Sequence, residues 1–74
     1  MMLYVGENVS IVVPENKWNQ YEVIEANEKF ASLRCTYFME PEDLGDAIMC
    51  NHIGQEICIA QYFSYKFMVN ETLL

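Results

Sequence analysis

Cysteine and histidine are the side chains in this sequence best suited to bind a metal ion or to attack a substrate. The chain has three cysteines and one histidine, which together have the composition of a Cys3His zinc site: Cys35, Cys50, His52 and Cys58. Structural zinc sites usually take two ligands from one tight turn, such as two cysteines separated by two residues, and the sequence has no such pair. Nucleophilic catalysis would have His52 as its single candidate base. We therefore expect buried thiols that act as small hydrophobic residues, with no metal and no cofactor.

Carboxylates form the second chemical group, and they concentrate in one stretch that contains no lysine or arginine. The acids of that stretch are Glu40, Glu42, Asp43, Asp46 and Glu56. An acid and base pair needs two carboxylates in contrasting environments, whereas acids crowded around Pro41 are more typical of a solvated loop. The glycines are isolated, so the sequence also lacks a phosphate-binding glycine loop. These observations predict a protein without enzymatic activity.

The charge balance of the chain is strongly acidic. Eleven acids against four bases give a formal net charge of −7. Such a surface repels the phosphate backbone of nucleic acids and attracts cationic protein surfaces. The four bases are scattered along the chain, at Lys17, Lys29, Arg34 and Lys66, whereas nucleic-acid binders cluster theirs. Nucleic acid is therefore a disfavoured partner, and a protein with a basic surface is favoured; the alternative explanation of the charge is solubility alone.

The length of the chain limits how many large side chains its core can bury. At 74 residues, the sequence corresponds to one small domain covering residues 1–74. Four phenylalanines, five tyrosines and one tryptophan cannot all be interior in so small a body, so some are expected on the surface. No run approaches the ~20 apolar residues of a membrane span, and residues 1–5 lack the features of a signal peptide. We expect a cytoplasmic protein with no membrane partner.

Strands are the main elements that position these groups. Residues 20–26 and 30–39 face each other across a break of hairpin length, which predicts a β-hairpin. Glu25 shares a face with Tyr21 and Val23 in the first run, a mixture that suits a strongly bent or edge strand. In the second run, alternation predicts an inward set and an outward set. The inward residues are Ala31, Leu33, Cys35, Tyr37 and Met39, and the outward residues are Ser32, Arg34 and Thr36.

Other segments predict the remaining elements. Apolar side chains alternate along residues 9–13, which predicts a first strand that ends at Pro14. Residues 15–19 are polar apart from Trp18, which predicts a loop that Trp18 anchors. Residues 40–54 have two interpretations: a helix beginning at Pro41, or an acidic loop followed by a strand from 47 to 53 and a turn at Gly54 and Gln55. In residues 56–69, β-branched and aromatic side chains recur at every second position, which predicts one long strand with a bend near Gln61 or Ser64. Residues 70–74 predict a loose tail.

The fold class is therefore mainly β. We expect a small, strongly bent antiparallel sheet or barrel of four or five strands, and a short helix within residues 41–53 would make it α+β. Four or five short strands, with Gly6 before the first and a long acidic connection before the fourth, resemble small SH3-like barrels over roughly residues 5–69. The resemblance implies a binding module that recognises peptides, proteins or nucleic acid through loops and an exposed aromatic surface. The loop pattern of proline-peptide-binding SH3 domains has no match here, so their ligand is not transferred.

The function predicted from these features is non-enzymatic binding. We expect a small acidic protein that regulates or inhibits a partner protein through an acidic and aromatic surface. The predicted contact residues are Glu40, Glu42, Asp43, Asp46, Tyr37, Tyr62 and Tyr65. One form of this function is a nucleic-acid mimic, as in small acidic inhibitors of phage type, which the chain resembles in size and charge. The alternatives are a structural or assembly subunit, such as a homodimer of β-barrel modules, and a barrel that stacks single-stranded nucleic acid on its aromatics.

Overall fold

A computed structural model describes residues 2–12, 17–38, 42–43, 49–50 and 52–73. Within these residues the chain folds mainly as β-structure, which confirms the predicted fold class. The elements in chain order are β1 Asn8–Val12, β2 Lys17–Ala26, β3 Phe30–Tyr37, β4 Glu42–Asp43, β5 Met49–Cys50, β6 Glu56–Ala60, helix α1 Gln61–Phe67, β7 Met68–Asn70 and a 3-10 turn Glu71–Leu73. Five strands form one antiparallel sheet in the order β6-β3-β2-β1-β7, and β4 pairs separately with β5. The described pairings leave the five-stranded sheet open.

The predicted hairpin is confirmed as β2 and β3, joined at Asn27 to Lys29. The Asn27 side chain closes the turn, because its Oδ1 accepts hydrogen bonds from the backbone N–H groups of Lys29 (2.8 Å) and Phe30 (2.9 Å). The backbone N–H of Asn27 also donates to the carbonyl of Phe30 at 2.9 Å. Asparagine is favoured in turns for this reason, since its short amide can bond to the backbone a few residues on.

A β-bulge in β2 explains the mixed pattern of that strand. Val23 lies opposite Leu33, but the next pair is Glu25 opposite Ser32, so Ile24 is an extra residue. Because an extra residue reverses the in and out alternation beyond it, Val23 is buried and Glu25 is exposed, although both have odd numbers. The strand therefore keeps its acids on the outer face of the sheet.

A second bulge, in β3, overturns one prediction. Tyr21 lies opposite Cys35 and Gln20 lies opposite Tyr37, so Thr36 is the extra residue. Cys35 is buried as predicted, but Tyr37 lies beyond the bulge and is 48% exposed. The prediction that Tyr37 faces the core was wrong, because strict alternation cannot anticipate a bulge.

The core lies on the inner face of the sheet. Its buried members are Leu3, Val9, Tyr21, Val23, Ala31, Leu33, Cys35, Ile59 and Met68, and Phe63 of α1 packs against them. Ala31 and Leu33 thus face inward as predicted, while Arg34 and Thr36 are exposed. Met39 lies outside the described residues.

Two predicted loops contain ordered structure. Lys17 to Asn19 belong to β2 instead of the predicted loop, and Asn19 is fully buried. The predicted loose tail is also wrong, because Asn70 belongs to β7 and the 3-10 turn is tied to β1 by side-chain hydrogen bonds. Thr72 Oγ1 accepts from the Asn8 N–H at 2.7 Å, and Ser10 Oγ donates to Glu71 Oε1 at 2.6 Å.

The helix α1 lies outside residues 41–53, where one interpretation of the sequence placed a helix and the other placed a loop and a strand. The described residues 42–43 and 49–50 are in strands, so a continuous helix over 41–53 is wrong. The turn that the second interpretation predicted at Gly54 and Gln55 is found at Ile53 and Gly54, one residue earlier. The predicted long strand 56–69 stops at Ala60, and Gln61–Phe67 form α1. Helical spacing puts Gln61 and Ser64 on one buried face, whereas a strand would send them to opposite sides.

Candidate binding surface

The predicted acidic contact residues fall in a part of the chain that the structure describes sparsely. Glu42 and Asp43 form β4, where they pair with Cys50 and Met49 respectively. Glu40 and Asp46 lie outside the described residues. The segment leaves the sheet at the Tyr37 end of β3, and the chain returns through Gln55, whose carbonyl accepts from the Cys35 N–H at 2.8 Å.

The predicted aromatic contact residues are exposed but lie on different elements. Tyr62 and Tyr65 are 66% and 61% exposed, and their spacing of three residues puts them on one outer face of α1. Tyr37 lies at the opposite end of the eight-residue strand β3 from Phe30, which pairs with Ala60 just before α1. That strand spans roughly 23 Å at the usual rise per residue, so the structure places Tyr37 and the start of α1 at separate ends of the sheet.

A buried glutamine joins three chain segments at the start of α1. The Gln61 side chain pairs with the Leu3 backbone: its Oε1 accepts from the Leu3 N–H at 2.9 Å, and its Nε2 donates to the Leu3 carbonyl at 3.0 Å. The same Nε2 donates to the Asn27 carbonyl at 3.1 Å, and the Gln61 backbone N–H donates to the Lys29 carbonyl at 2.8 Å. The N-terminal segment, the hairpin turn and α1 are therefore held together by one residue.

Each segment held by Gln61 carries an exposed aromatic residue immediately beside the contact. We call this set the aromatic rim: Tyr4 follows Leu3, Phe30 follows Lys29 and Tyr62 follows Gln61. All three side chains are at least half exposed. Two members of the rim had a signal in the sequence: Phe30 alternates with the inward residue Ala31, which places Phe30 outward, and Tyr62 was among the predicted contacts. Tyr4 was missed, since no periodic pattern covers residues 2–7.

Three open cavities surround the hairpin turn, and Asn27 lines all of them. The first, of about 390 Å³, lies between the turn and the N-terminal segment and is lined by Met2, Leu3, Tyr4, Ala26, Asn27 and Glu28. The second, which we call the outer cavity, has about 250 Å³ and is lined by Glu25, Ala26, Asn27, Phe30, Ser32 and Cys58. The third has about 360 Å³ and lies over the turn itself, where Glu28, Lys29 and Phe30 line it. These three cavities therefore lie together at the turn end of the sheet.

Carboxylates at the turn end lack cationic partners in the part of the chain that the structure describes. Glu25 and Glu28 are exposed and form no ion pair there. In the middle of β3, by contrast, Arg34 lies in register between Glu22 and Glu56, and its Nη2 donates to Glu56 Oε2 at 3.4 Å. Arg34 therefore pairs with a carboxylate in mid-sheet, whereas Glu25 and Glu28 beside the aromatic rim form no ion pair among the described residues, although Lys29 lies at the same turn.

The cysteines and the histidine do not gather into a site among the described residues. No group of three or more metal-binding side chains occurs there. Cys35 is buried, with its Sγ donating to the Tyr37 carbonyl at 3.4 Å, while Cys58 is exposed on the outer face of β6. The expectation of a buried thiol was wrong for Cys58, because β6 pairs Cys58 with the outward residue Ser32. For Cys50, the structure describes the backbone in β5 and not the side chain.

Neither helical segment in the described ranges, one of seven residues and one of three, has the length needed to cross a bilayer. Comparison of the chain with models of protein families, with curated proteins and with solved structures finds no match.

Proposed function

We propose that this chain is a small acidic, non-enzymatic protein that binds a partner protein with a basic surface and thereby regulates or inhibits it. The proposal rests on the side chains that are exposed at the turn end of the sheet. There, exposed aromatic side chains of the rim lie beside the carboxylates of Glu25 and Glu28, which form no ion pair with a described cation.

This combination suits protein recognition on physical grounds. Exposed aromatic residues gain binding energy when a partner covers them, and they are enriched among the residues that dominate interface affinity. Uncompensated carboxylates attract a basic surface at long range and raise its rate of encounter. A net charge of −7 acts in the same direction over the whole molecule and opposes binding to nucleic acid.

The acidic segment after β3 is a second part of the proposed surface. Tyr37 is exposed where this segment leaves the sheet, so the carboxylates of Glu40, Glu42, Asp43 and Asp46 follow an aromatic anchor directly in sequence. Tyr62 and Tyr65 contribute from α1. One form of the function is mimicry of nucleic acid, in which such carboxylates take the place of phosphates in a basic groove.

The finer fold assignment that accompanies this proposal is an SH3-like barrel. Its support is the strand arrangement: β1, β2 and β3 pair in chain order, β6 lies beside β3, β7 returns to pair with β1, and two bulges bend the central hairpin. A barrel of this kind usually works as a binding module, and a cytoplasmic location completes the proposal.

Affinity capture from the source cells, followed by mass spectrometry, tests the proposed function. The wild-type chain is expected to retain a basic protein that is released by raised salt. Reversal of Glu42, Asp43 and Asp46 to lysine, and separately of Glu25 and Glu28, tests the two parts of the surface. The proposal fails if neither charge reversal reduces the capture of that protein.

An assembly role is the second candidate, and exposed apolar side chains favour it. The large hydrophobic residues exposed in the described ranges are Tyr4, Val5, Phe30, Tyr37, Ile53, Tyr62 and Tyr65. A homodimer would cover some of them. Sedimentation at micromolar concentration separates the two functions, since a dimer that persists at high salt supports assembly and a monomer supports transient binding.

A further inference from the structure

We infer that the outer cavity binds the arginine side chain of a protein partner, with the Glu25 carboxylate as acceptor and the Phe30 ring as stacking surface. The inference rests on the proposed function and makes it specific, because it names one cavity and the chemical group that occupies it.

The size of the outer cavity favours a side chain over a free small molecule. Its volume of about 250 Å³ lies below the roughly 300–1,000 Å³ of typical small-molecule pockets. The cavity is also open to solvent on the outer face of the sheet, where a protruding residue of another protein can enter without any opening motion.

The charge of the cavity favours a cation. Among the described residues that line it, Glu25 is the one with a formal charge, and no described cation pairs with it. Lys29, the nearest described base in the sequence, lines the cavity above the turn and not this one. A cationic side chain entering the outer cavity would therefore meet a carboxylate without displacing an existing ion pair.

The remaining lining favours arginine over lysine. Phe30 is half exposed at the cavity and offers an aromatic ring, on which a planar guanidinium can stack. Ser32 lies directly opposite Glu25 in the strand register, so a hydroxyl stands next to the carboxylate. Guanidinium has several donors in a fixed plane and can bond to both groups, whereas the ammonium of lysine is a point charge with no flat face.

The frame around the cavity is held in place before any ligand arrives. The Asn27 side chain fixes the backbone of Lys29 and Phe30, and Gln61 holds the same turn against α1. A preformed site loses little freedom on binding, which favours affinity.

The experiment is an NMR titration of the 15N-labelled chain with the blocked tripeptide acetyl-Gly-Arg-Gly-amide at millimolar concentrations. The matched peptides carry lysine or citrulline, the latter being a neutral analogue of arginine with nearly the same shape. We expect the arginine peptide to shift the amides of Phe30, Ser32 and Cys58, the lysine peptide to shift them less, and the citrulline peptide to leave them nearly unchanged.

Two exposed-site variants and one control complete the test. Glu25→Gln is expected to lower the affinity for the arginine peptide by roughly tenfold, as for loss of a charge-assisted hydrogen bond. Phe30→Leu is expected to remove the preference for the arginine peptide over the lysine peptide. Glu22→Gln makes the same charge change three residues away on β2, and it should alter the affinity by less than about twofold.

Other outcomes overturn the inference. Equal shifts with the citrulline peptide, or equal weakening by Glu22→Gln, would show that the Glu25 carboxylate does not select a cation in this cavity. Charge-dependent shifts confined to the Tyr37 end would overturn the inference while supporting the proposed function. Absence of any shift also overturns it, and the capture experiment then decides the proposed function independently, since it does not depend on this cavity.

Discussion

Single residues with no periodic pattern determine how this small domain is connected. Gln61 lay in the middle of a predicted strand, where it broke an otherwise apolar series. In the structure, it is 4% exposed and bonds to the backbone of Leu3 and Asn27 through its side chain. A polar residue that interrupts an apolar run was thus the available signal. In the sequence it predicts a bend in a strand, whereas the structure shows a buried hydrogen-bonding position at the start of α1.

Replacement of Gln61 by alanine should destabilise the chain by about 2–3 kcal/mol, because it leaves buried backbone groups of the N-terminal segment without their partner. Urea denaturation followed by tyrosine and tryptophan fluorescence measures the change. The matched control is Gln20→Ala, at an exposed position of β2, with an expected effect within about 0.5 kcal/mol. Equal effects of the two substitutions would show that the Gln61 hydrogen bonds contribute no net stability.

Gly54 provides a prediction about backbone conformation. Its φ is 91°, a region that L-residues rarely adopt, and a side chain added there would meet no atom within 4 Å. The cost of Gly54→Ala is therefore conformational, about 1–2 kcal/mol. Chemical synthesis with D-alanine at position 54 should instead stabilise the fold, by about 0.4–1 kcal/mol, because it restricts the unfolded chain. Thermal unfolding of the two variants distinguishes these effects, and destabilisation by both would contradict the assigned turn.

At the level of elements, the hairpin and the strand-rich character of the chain followed from alternation and turn length. The bulges at Ile24 and Thr36 did not, because a bulge depends on the pairing between two strands and not on the pattern of one. The helix α1 was missed for a related reason. Phe63, Tyr65 and Phe67 have the period of a strand. The helical period is favoured instead by the tertiary bonds of the Gln61 side chain to Leu3 and Asn27, and by the local bond from Ser64 Oγ to the Gln61 carbonyl at 2.7 Å.

The row formed by Glu22, Arg34 and Glu56, of which Glu22 is half-buried, tests the register of three strands. Arg34→Glu places like charges side by side and should destabilise the sheet by about 1 kcal/mol at low salt, with a smaller effect at high salt since all three groups are near solvent. Urea denaturation at two salt concentrations measures both values. Lys29→Glu makes the same charge change at the exposed turn and is the control. If Arg34→Glu lowers the free energy of unfolding no more than Lys29→Glu does, the result would argue against the register.

At the level of the whole molecule, the sequence predicted the acidic character, the single small domain and the excess of aromatics. It placed the binding surface on the acidic segment, Tyr37, Tyr62 and Tyr65. The structure adds the aromatic rim, which the sequence could not reveal because its members come from three distant segments that meet through Gln61. Such a surface depends on tertiary contacts and leaves no local pattern.

The most direct test of the central claim is the salt dependence of affinity for the captured basic protein, measured by titration calorimetry with the wild-type chain and with Glu25→Gln/Glu28→Gln. If uncompensated carboxylates beside the rim attract the partner, wild-type affinity falls steeply as salt rises, and the double variant binds more weakly with a shallower slope. Glu22→Gln/Glu56→Gln, which removes the same number of charges in mid-sheet, should retain most of the wild-type affinity. Identical affinities and slopes for wild type and Glu25→Gln/Glu28→Gln would contradict the claim.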